Sequence, residues 1–409
     1  MDADRLQSAF RDVPGLYVHI PFCRSLCPFC PYNRVLYERS LARDYHAALR
    51  REIALAVEAF PGEFGSLYVG GGTPTLALDA LATAIADLRV EGERVIEVLP
   101  SHATPETLSR LRAMGFNFVS LGVQSFDDDV LRHLGRPTTA RQNRAAVENA
   151  VGRFECVDVD LIFDVAFRDA RAFLADVETC VSLGVEQIST YPLMRFSYTP
   201  FGKAPHARRA EHELLARAEA LAARYGYERR TVWTLNRLGA PTSSSITREF
   251  YLGLGAGSAS YTGREFWVNH FGVRQYIESV DHGELPVARA MRLPTAVSAG
   301  YYLFWRSYAS RLDLRRLEAH FGPRAGAATR VVLMLLAAAG LIERRGTEAW
   351  LTPRGRDVYH DVERWITYQL IEPLWAQMMA EHGDPGVVGR AGRGRRGLLW
   401  ALTERALRA

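Results

Sequence analysis

Cysteine is scarce in this chain and unevenly placed. There are five in 409 residues, and Cys156 and Cys180 stand alone. An odd number of cysteines without a leader-like segment argues against a disulfide framework. The two isolated cysteines read as core residues, because a free thiol packs as a small hydrophobe. Long apolar runs are missing too. The longest uncharged one, Val331 to Ile342, is too short to cross a bilayer, so the expectation is a soluble, cytoplasmic protein. A broad basic face is also lacking. The net charge is +4, but residues 390–409 contribute +5 and residues 1–389 sum to −1, which argues against nucleic acid as a partner. The run Gly389-Arg-Ala-Gly-Arg-Gly-Arg-Arg-Gly397 reads as a solvated basic tail over 389–409. No repeat of solenoid period is visible.

What is present is patterned for a globular fold. A composition of 48% hydrophobic and 23% charged residues is that of a soluble protein, long enough for one large domain and a smaller one. Apolar runs at 16–20, 66–69, 95–99, 118–123, 157–163 and 187–191 read as strands, with helices between them at 44–60, 78–88 and from Thr104-Pro105 onward. Regular β–α alternation argues for a parallel sheet, closed into a barrel or part of one. Ligands then bind at the carboxyl ends of the strands. Glu97, Gln124, Asp160 and the run Gly70-Gly71-Gly72-Thr73 fall at or near such ends. From about residue 285 helices dominate. Residues 330–375 read as helix, short hairpin and helix, a winged-helix-like unit whose mixed charges suit covering a site better than binding DNA.

The most specific feature is Tyr17-Val-His-Ile-Pro-Phe-Cys-Arg-Ser-Leu-Cys-Pro-Phe-Cys30, with Cys23, Cys27 and Cys30 on a loop after a strand. Three thiolates at this spacing can converge on one metal centre. A closed structural zinc site takes four protein ligands, and His19 is the nearby fourth candidate. A cubane [4Fe–4S] cluster can be held by three cysteines and keeps one iron open for chemistry.

This motif, with the glycine run and Gly122-Val-Gln-Ser-Phe126, resembles the radical S-adenosylmethionine (SAM) superfamily, specifically its HemN-like branch. The resemblance runs from Tyr17 to about Tyr276 and more loosely beyond. It implies a partial (β/α)6 TIM-like barrel over residues 1–280, followed by a mostly helical, winged-helix-like domain over 285–388. It also implies that Cys23, Cys27 and Cys30 ligate a [4Fe–4S] cluster whose fourth iron is chelated by SAM. Reduction then releases methionine and a 5′-deoxyadenosyl radical, a step supplied by the cofactors. Gly70, Gly71, Gly72 and Thr73 are expected beside the methionyl amino group. Glu97, Gln124, Arg136 and Asp160 are expected to hold SAM, Arg136 by a fork on its carboxylate and Asp160 on the ribose. Phe29 is expected near the adenine, and Tyr17 and His19 beside cluster and substrate as the catalytic pair. A flavodoxin- or ferredoxin-type donor and a small-molecule substrate are the implied partners. Gly253-Leu-Gly-Ala-Gly257, Asn269 and Tyr276 match positions of the same branch; the glycine segment lacks the context of a dinucleotide fingerprint.

Three departures guide the choice within the branch. Pro31 and Tyr32 follow Cys30 where the coproporphyrinogen dehydrogenase carries a further cysteine, and only 22 residues precede Cys23. The segment 242–251 offers no heme-ligand histidine where the heme chaperones carry a His-Asn…Tyr-Trp pattern. The expectation is therefore transfer of a C1 unit from a second SAM to an sp² carbon, as methylation or cyclopropanation. Coproporphyrinogen III dehydrogenation, and heme breakdown or trafficking, are the alternatives.

Overall fold

The computed structural model describes residues 3–10, 13–165, 170–203, 208–244 and 249–382. The basic tail and four residues of the 242–251 segment lie outside these ranges.

Six strands are each followed by a helix. β1 (Gly15–Ile20) leads to α1 (Arg39–Ala59), β2 (Leu67–Gly71) to α2 (Leu78–Ile85), and β3 (Arg94–Val98) to α3 (Pro105–Ala113). β4 (Phe118–Gln124) leads to α4 (Ala140–Ala150), β5 (Cys156–Phe163) to α5 (Ala170–Leu183), and β6 (Gln187–Pro192) to α6 (Arg208–Ala223). Neighbouring members of β1 to β6 pair in parallel, β1 with β2 through to β5 with β6. The first and last of them do not meet, so the barrel is partial. The sheet extends instead at both edges. β7 (Tyr227–Arg229) and β8 (Thr234–Arg237) add antiparallel beyond β6. β9 (Tyr251–Leu254) pairs in parallel with β1, and β10 (Ala259–Tyr261), β11 (Glu265–Asn269) and β12 (Val287–Arg292) continue antiparallel. Twelve strands result. β12 departs from the helix-rich expectation after residue 285; it is half-exposed, and Arg289 and Arg292 break its apolar pattern.

The two faces of the sheet separate structure from chemistry. Leu16, Val18, Leu67, Val69, Ile96, Val119, Leu121, Val157 and Val159 point outward into the main core under the helices. The inner face has an apolar floor, where Tyr68, Val95, Phe118 and Cys156 pack with Tyr17. One register step toward the carboxyl ends, its residues turn polar: His19 is level with Gly70, Glu97 with Ser120, Ser120 with Asp158, and Asp158 with Gln187. Period-2 alternation places these polar residues directly above the floor, inside the barrel and away from water.

After α7 (Val273–Asp281), the C-terminal part runs α8 (Thr295–Tyr308), β13 (Arg311–Asp313), α9 (Leu314–Phe321) and α10 (Pro323–Ala338). The hairpin β14 (Ile342–Arg345) and β15 (Glu348–Leu351) follows, with β13 paired to β15. This is a winged-helix order. α11 (Pro353–Ile366) continues through a π-turn at Thr367–Ile371 into α12 (Glu372–His382). The Tyr32 ring lies 5.8 Å from that of Trp375, the Phe196 ring stacks 6.5 Å from Trp375, and the Tyr198 hydroxyl donates to the Pro31 carbonyl at 3.3 Å. The C-terminal arm thus lies over the loop that carries the three cysteines. Among the described residues no helix is long and apolar enough to cross a membrane.

Candidate active site at the barrel mouth

The cysteine loop leaves β1 and starts with a two-residue strand at Phe22–Cys23, which pairs with Val35–Leu36 and closes the loop on itself. Arg34 braces the interior of this loop. Its guanidinium donates to the Cys27 carbonyl at 2.9 Å and to the Tyr32 carbonyl at 3.1 Å. Burial pushes the Cys23 thiol up to about 11, with further repulsion from Cys30 and Cys27. Burial likewise raises Cys30, and the Arg34 charge opposes the rise. The three thiols therefore sense one another across the loop. Among the described residues, however, no three His, Cys, Asp or Glu side chains are drawn together as metal ligands. Cys156, in the barrel floor, and Cys180, on the inner face of α5, are fully buried core residues.

Glu97 organises the glycine run. Its carboxylate accepts from the Gly71 amide and the Tyr68 hydroxyl, each at 3.0 Å. A Cβ on Gly70 would fall 2.7 Å from Glu97, one on Gly71 2.6 Å from His19, and one on Gly72 2.6 Å from the Phe22 carbonyl. The protein's own packing therefore already favours glycine at these three positions. Thr73 then reaches the Cys23 sulfur at 3.9 Å.

Arg136 approaches from the opposite wall. It donates to the Cys27 sulfur at 3.5 Å and to the Gly122 carbonyl at 2.5 Å, and its Nε is buried without a partner. The neighbouring Gly135 (φ 65°) lets this segment close on the loop, since a Cβ there would sit 2.6 Å from Pro28. Gln124 ends β4 with φ 68°, past a register shift that re-aims the strand end. Such a conformation strains a non-glycine residue and clusters at functional sites. Asp160 accepts from Ser120 at 2.9 Å. Phe29 packs toward Ile162, Val165 and Leu193 at the ends of β5 and β6.

Glu97 and Asp160 form no ion pair among the described residues. Burial holds Glu97 up at about 7, with Asp160 adding to the rise. Burial lifts Asp160 to about 6, opposed by Ser120 and Arg136. Two half-buried carboxyls and an arginine with an unpartnered nitrogen form a bipolar wall. Opposite, three thiols line a loop held by a second arginine. This donor set suits a sulfur-ligated cluster and a ligand that carries cationic groups and a carboxylate, as SAM does.

Tyr17 and His19 form a rigid pair beneath the loop. Tyr17 Oη lies 2.9 Å from His19 Nδ1, and His19 Nε2 lies 2.8 Å from the Asn33 carbonyl. The sequence reading missed the shell that supports them. Asn33 donates to the carbonyls of Ala256 and Phe271, and Tyr45 bridges the His19 carbonyl and the Ala256 amide. Beneath these, the buried Glu52 accepts from the Gly255 amide, Tyr276 and Asn269 at 2.7, 2.6 and 2.9 Å. Asn269 and Tyr276 thus anchor the Gly253–Gly257 segment through Glu52. A glutamate in an amphipathic helix gives no sequence signal of burial, and the partners that betray it lie more than 200 positions away.

Residues 17–176 match the Radical SAM superfamily, so the chain carries a radical SAM domain, with the [4Fe–4S] cluster and SAM that this class implies. Within that class the chain is HemN-like. It is 27% identical over 374 residues to the heme chaperone HemW of Bacillus subtilis (strain 168), covering 85% of this chain and 97% of that protein. It is 28% identical over 314 residues to the oxygen-independent coproporphyrinogen III oxidase of Pseudomonas aeruginosa, covering 68% of each. The solved coproporphyrinogen III oxidase HemN of Escherichia coli shares the fold at a TM-score of 0.74 and 23% identity, over 89% of this chain and 92% of that one. These relatives carry the names of the alternatives in the sequence reading, and none of the three is named as a C1 transferase.

Proposed function

We propose that the chain is a radical SAM enzyme acting on a tetrapyrrole, with oxygen-independent coproporphyrinogen III oxidation as the reaction. The observation that carries this reading is the wall of Glu97, Gln124, Arg136 and Asp160 set against the cysteine loop, together with likeness over most of the chain to proteins of heme metabolism. That arrangement supports an enzyme over a passive carrier. This revises the preference for C1 transfer, which rested on missing features alone.

When bound, the cluster and SAM supply reductive cleavage of the sulfonium and hydrogen abstraction. The chain's own residues hold and aim. Cys23, Cys27 and Cys30 would ligate the cluster, Arg136 would take the SAM carboxylate, and Glu97 and Asp160 would accept from its amino group and ribose. Tyr17 and His19, both engaged, position the loop. Tyr198, in the loop after β6, and Trp375 of the C-terminal arm limit water at the mouth.

C1 transfer is the second reading, favoured by Pro31 and Tyr32 in place of the dehydrogenase's extra cysteine. One experiment separates the two. Reduced protein with SAM and coproporphyrinogen III should release carbon dioxide with 5′-deoxyadenosine and form no S-adenosylhomocysteine. S-adenosylhomocysteine together with deuterium passing from methyl-labelled SAM into deoxyadenosine would instead establish C1 transfer. Tight heme binding without SAM cleavage would make the protein a carrier.

A further inference from the structure

α11 is built partly inside out. A helix packed on a core normally turns its apolar stripe inward and its charged one outward. Here Val358, Val362 and Trp365 are exposed, whereas His360, Glu363, Arg364 and Thr367 at its end are buried. Burying polar side chains is costly unless they find partners. For His360 and Arg364 the partner is Glu211 of α6. His360 Nε2 lies 3.0 Å from Glu211 Oε2, and the Arg364 guanidinium donates to the same oxygen. These contacts fasten the arm to the barrel wall.

Glu363 takes no part in that fastening. Its carboxyl bonds Thr367, four residues on in the same chain segment, and its Oε2 is buried with no partner among the described residues. Burial keeps this carboxyl up at about 7, opposed by Thr367 and the Arg364 charge. A buried acceptor left open on one side is costly to keep, and the fold draws no contact with the barrel from it.

Its place is over the barrel mouth. About one turn before it, the His360 ring lies 4.4 Å from that of Trp233, which in turn is 6.4 Å from the Tyr191 ring in β6. Just over one turn after it, the Tyr368 hydroxyl accepts from the Arg195 amide at 3.0 Å, in the loop that leaves β6. Burial raises the Tyr308 hydroxyl, with the Glu363 charge adding to the rise and a bond to Tyr191 opposing it. Burial also raises the Tyr32 hydroxyl, with Glu97, Cys30, Asp160 and Glu363 adding repulsion. Tyr32 is nevertheless 53% exposed. A side chain that is accessible yet walled in by protein faces a recess. The Glu97 and Asp160 carboxyls border that recess from the sheet, and Glu363 borders it from the arm.

An acceptor with an open lone pair at the edge of a recess selects a ligand that offers N–H or O–H, and it repels a carboxylate. A porphyrinogen offers its pyrrole N–H groups, on rings that saturated bridges leave able to tilt. A heme offers none, because iron takes all of its ring nitrogens. We propose that Glu363 accepts a pyrrole N–H of the substrate, so that the C-terminal arm supplies a substrate-binding residue to the barrel mouth. The inference rests on the tetrapyrrole reading above and adds to it which face of the ring is read, and by which domain.

Anaerobic equilibrium binding to the cluster-loaded full chain tests it, with coproporphyrinogen III and heme as separate probes. Glu363→Leu should bind coproporphyrinogen III roughly tenfold or more weakly than the parent. Its affinities for SAM and heme and its denaturant midpoint should stay at the parent's values. Glu363→Gln keeps an acceptor oxygen and should recover most of the loss. Equal affinity for coproporphyrinogen III in the parent and Glu363→Leu overturns the inference and leaves the tetrapyrrole reading standing. A parent that does not bind coproporphyrinogen III overturns that reading, and the inference with it. A heme affinity that falls in Glu363→Leu would make the carboxyl an iron ligand, and a lowered midpoint would make it a structural group; either result also overturns the inference.

Discussion

Tyr17 and His19, two residues apart on β1, are joined through Tyr17 Oη and His19 Nδ1 at 2.9 Å. Because His19 Nε2 faces the Asn33 carbonyl at 2.8 Å, that nitrogen carries the hydrogen, and burial, which disfavours a second proton on the ring, leaves Nδ1 to accept from Tyr17. The imidazole is therefore neutral, with no lone pair left for a metal. This argues against zinc with His19 as the fourth ligand and makes the pair a support for the cysteine loop.

Burial lowers the His19 pKa from 6.5 to about 4, while its bond to Asn33 works the other way. Between those values the unfolded chain binds a proton that the native chain refuses, so stability falls as pH drops from about 6.5 toward 4 and then levels off. The loss from this residue is roughly 3 kcal/mol at most. Chemical denaturation of the parent and of His19→Gln at several pH values checks it. The difference between their unfolding free energies should shrink as the pH is lowered through that window, and a constant difference would contradict the neutral assignment.

Glu52→Ala should be costly. It leaves the Gly255 amide and the Tyr276 hydroxyl without an acceptor inside a closed core, at ~1–3 kcal/mol each before relaxation, and takes one of three acceptors from the Asn269 side-chain amide. A total destabilisation of about 3 kcal/mol or more is expected by denaturant titration. A loss below about 1 kcal/mol would mean that the network holds nothing in place.

Arg136→Lys keeps the charge but not the planar fork. SAM binding, followed by calorimetry on cluster-loaded protein, should weaken by roughly 1–3 kcal/mol. Because Arg136 also touches the Cys27 sulfur, the cluster's absorption should shift slightly while iron content is retained. Unchanged SAM affinity would place the carboxylate elsewhere.

Iron analysis separates the two kinds of cysteine. Cys23→Ala, Cys27→Ala and Cys30→Ala should each lose the cluster. Cys156→Ala and Cys180→Ala should keep it, since both sulfurs are packed in apolar clusters. Equal loss in all five would remove the special role of the loop.

Much of this site was legible because its signals are local. The cysteine spacing, the glycine run and the apolar runs that mark β1 to β6 each lie within a few residues, and period-2 alternation assigns their faces. What stayed hidden depends on distant partners. Asn33 holds Ala256 and Phe271, and Glu52 holds Gly255 and Tyr276; no window of sequence joins them. The edge strands were lost for another reason, because β7 and β10 are only three residues long. The glycine run was found, but its crowding by Glu97, His19 and Phe22 was not, since it exists only once the strands are side by side.

The most direct test is the product of reduced protein with SAM. After anaerobic reconstitution with iron and sulfide and reduction by dithionite, the parent should convert SAM to methionine and 5′-deoxyadenosine, and Cys27→Ala should not. A reconstituted protein that holds its cluster yet forms no deoxyadenosine, with coproporphyrinogen III or without it, would contradict the assignment of this barrel mouth as a radical SAM active site.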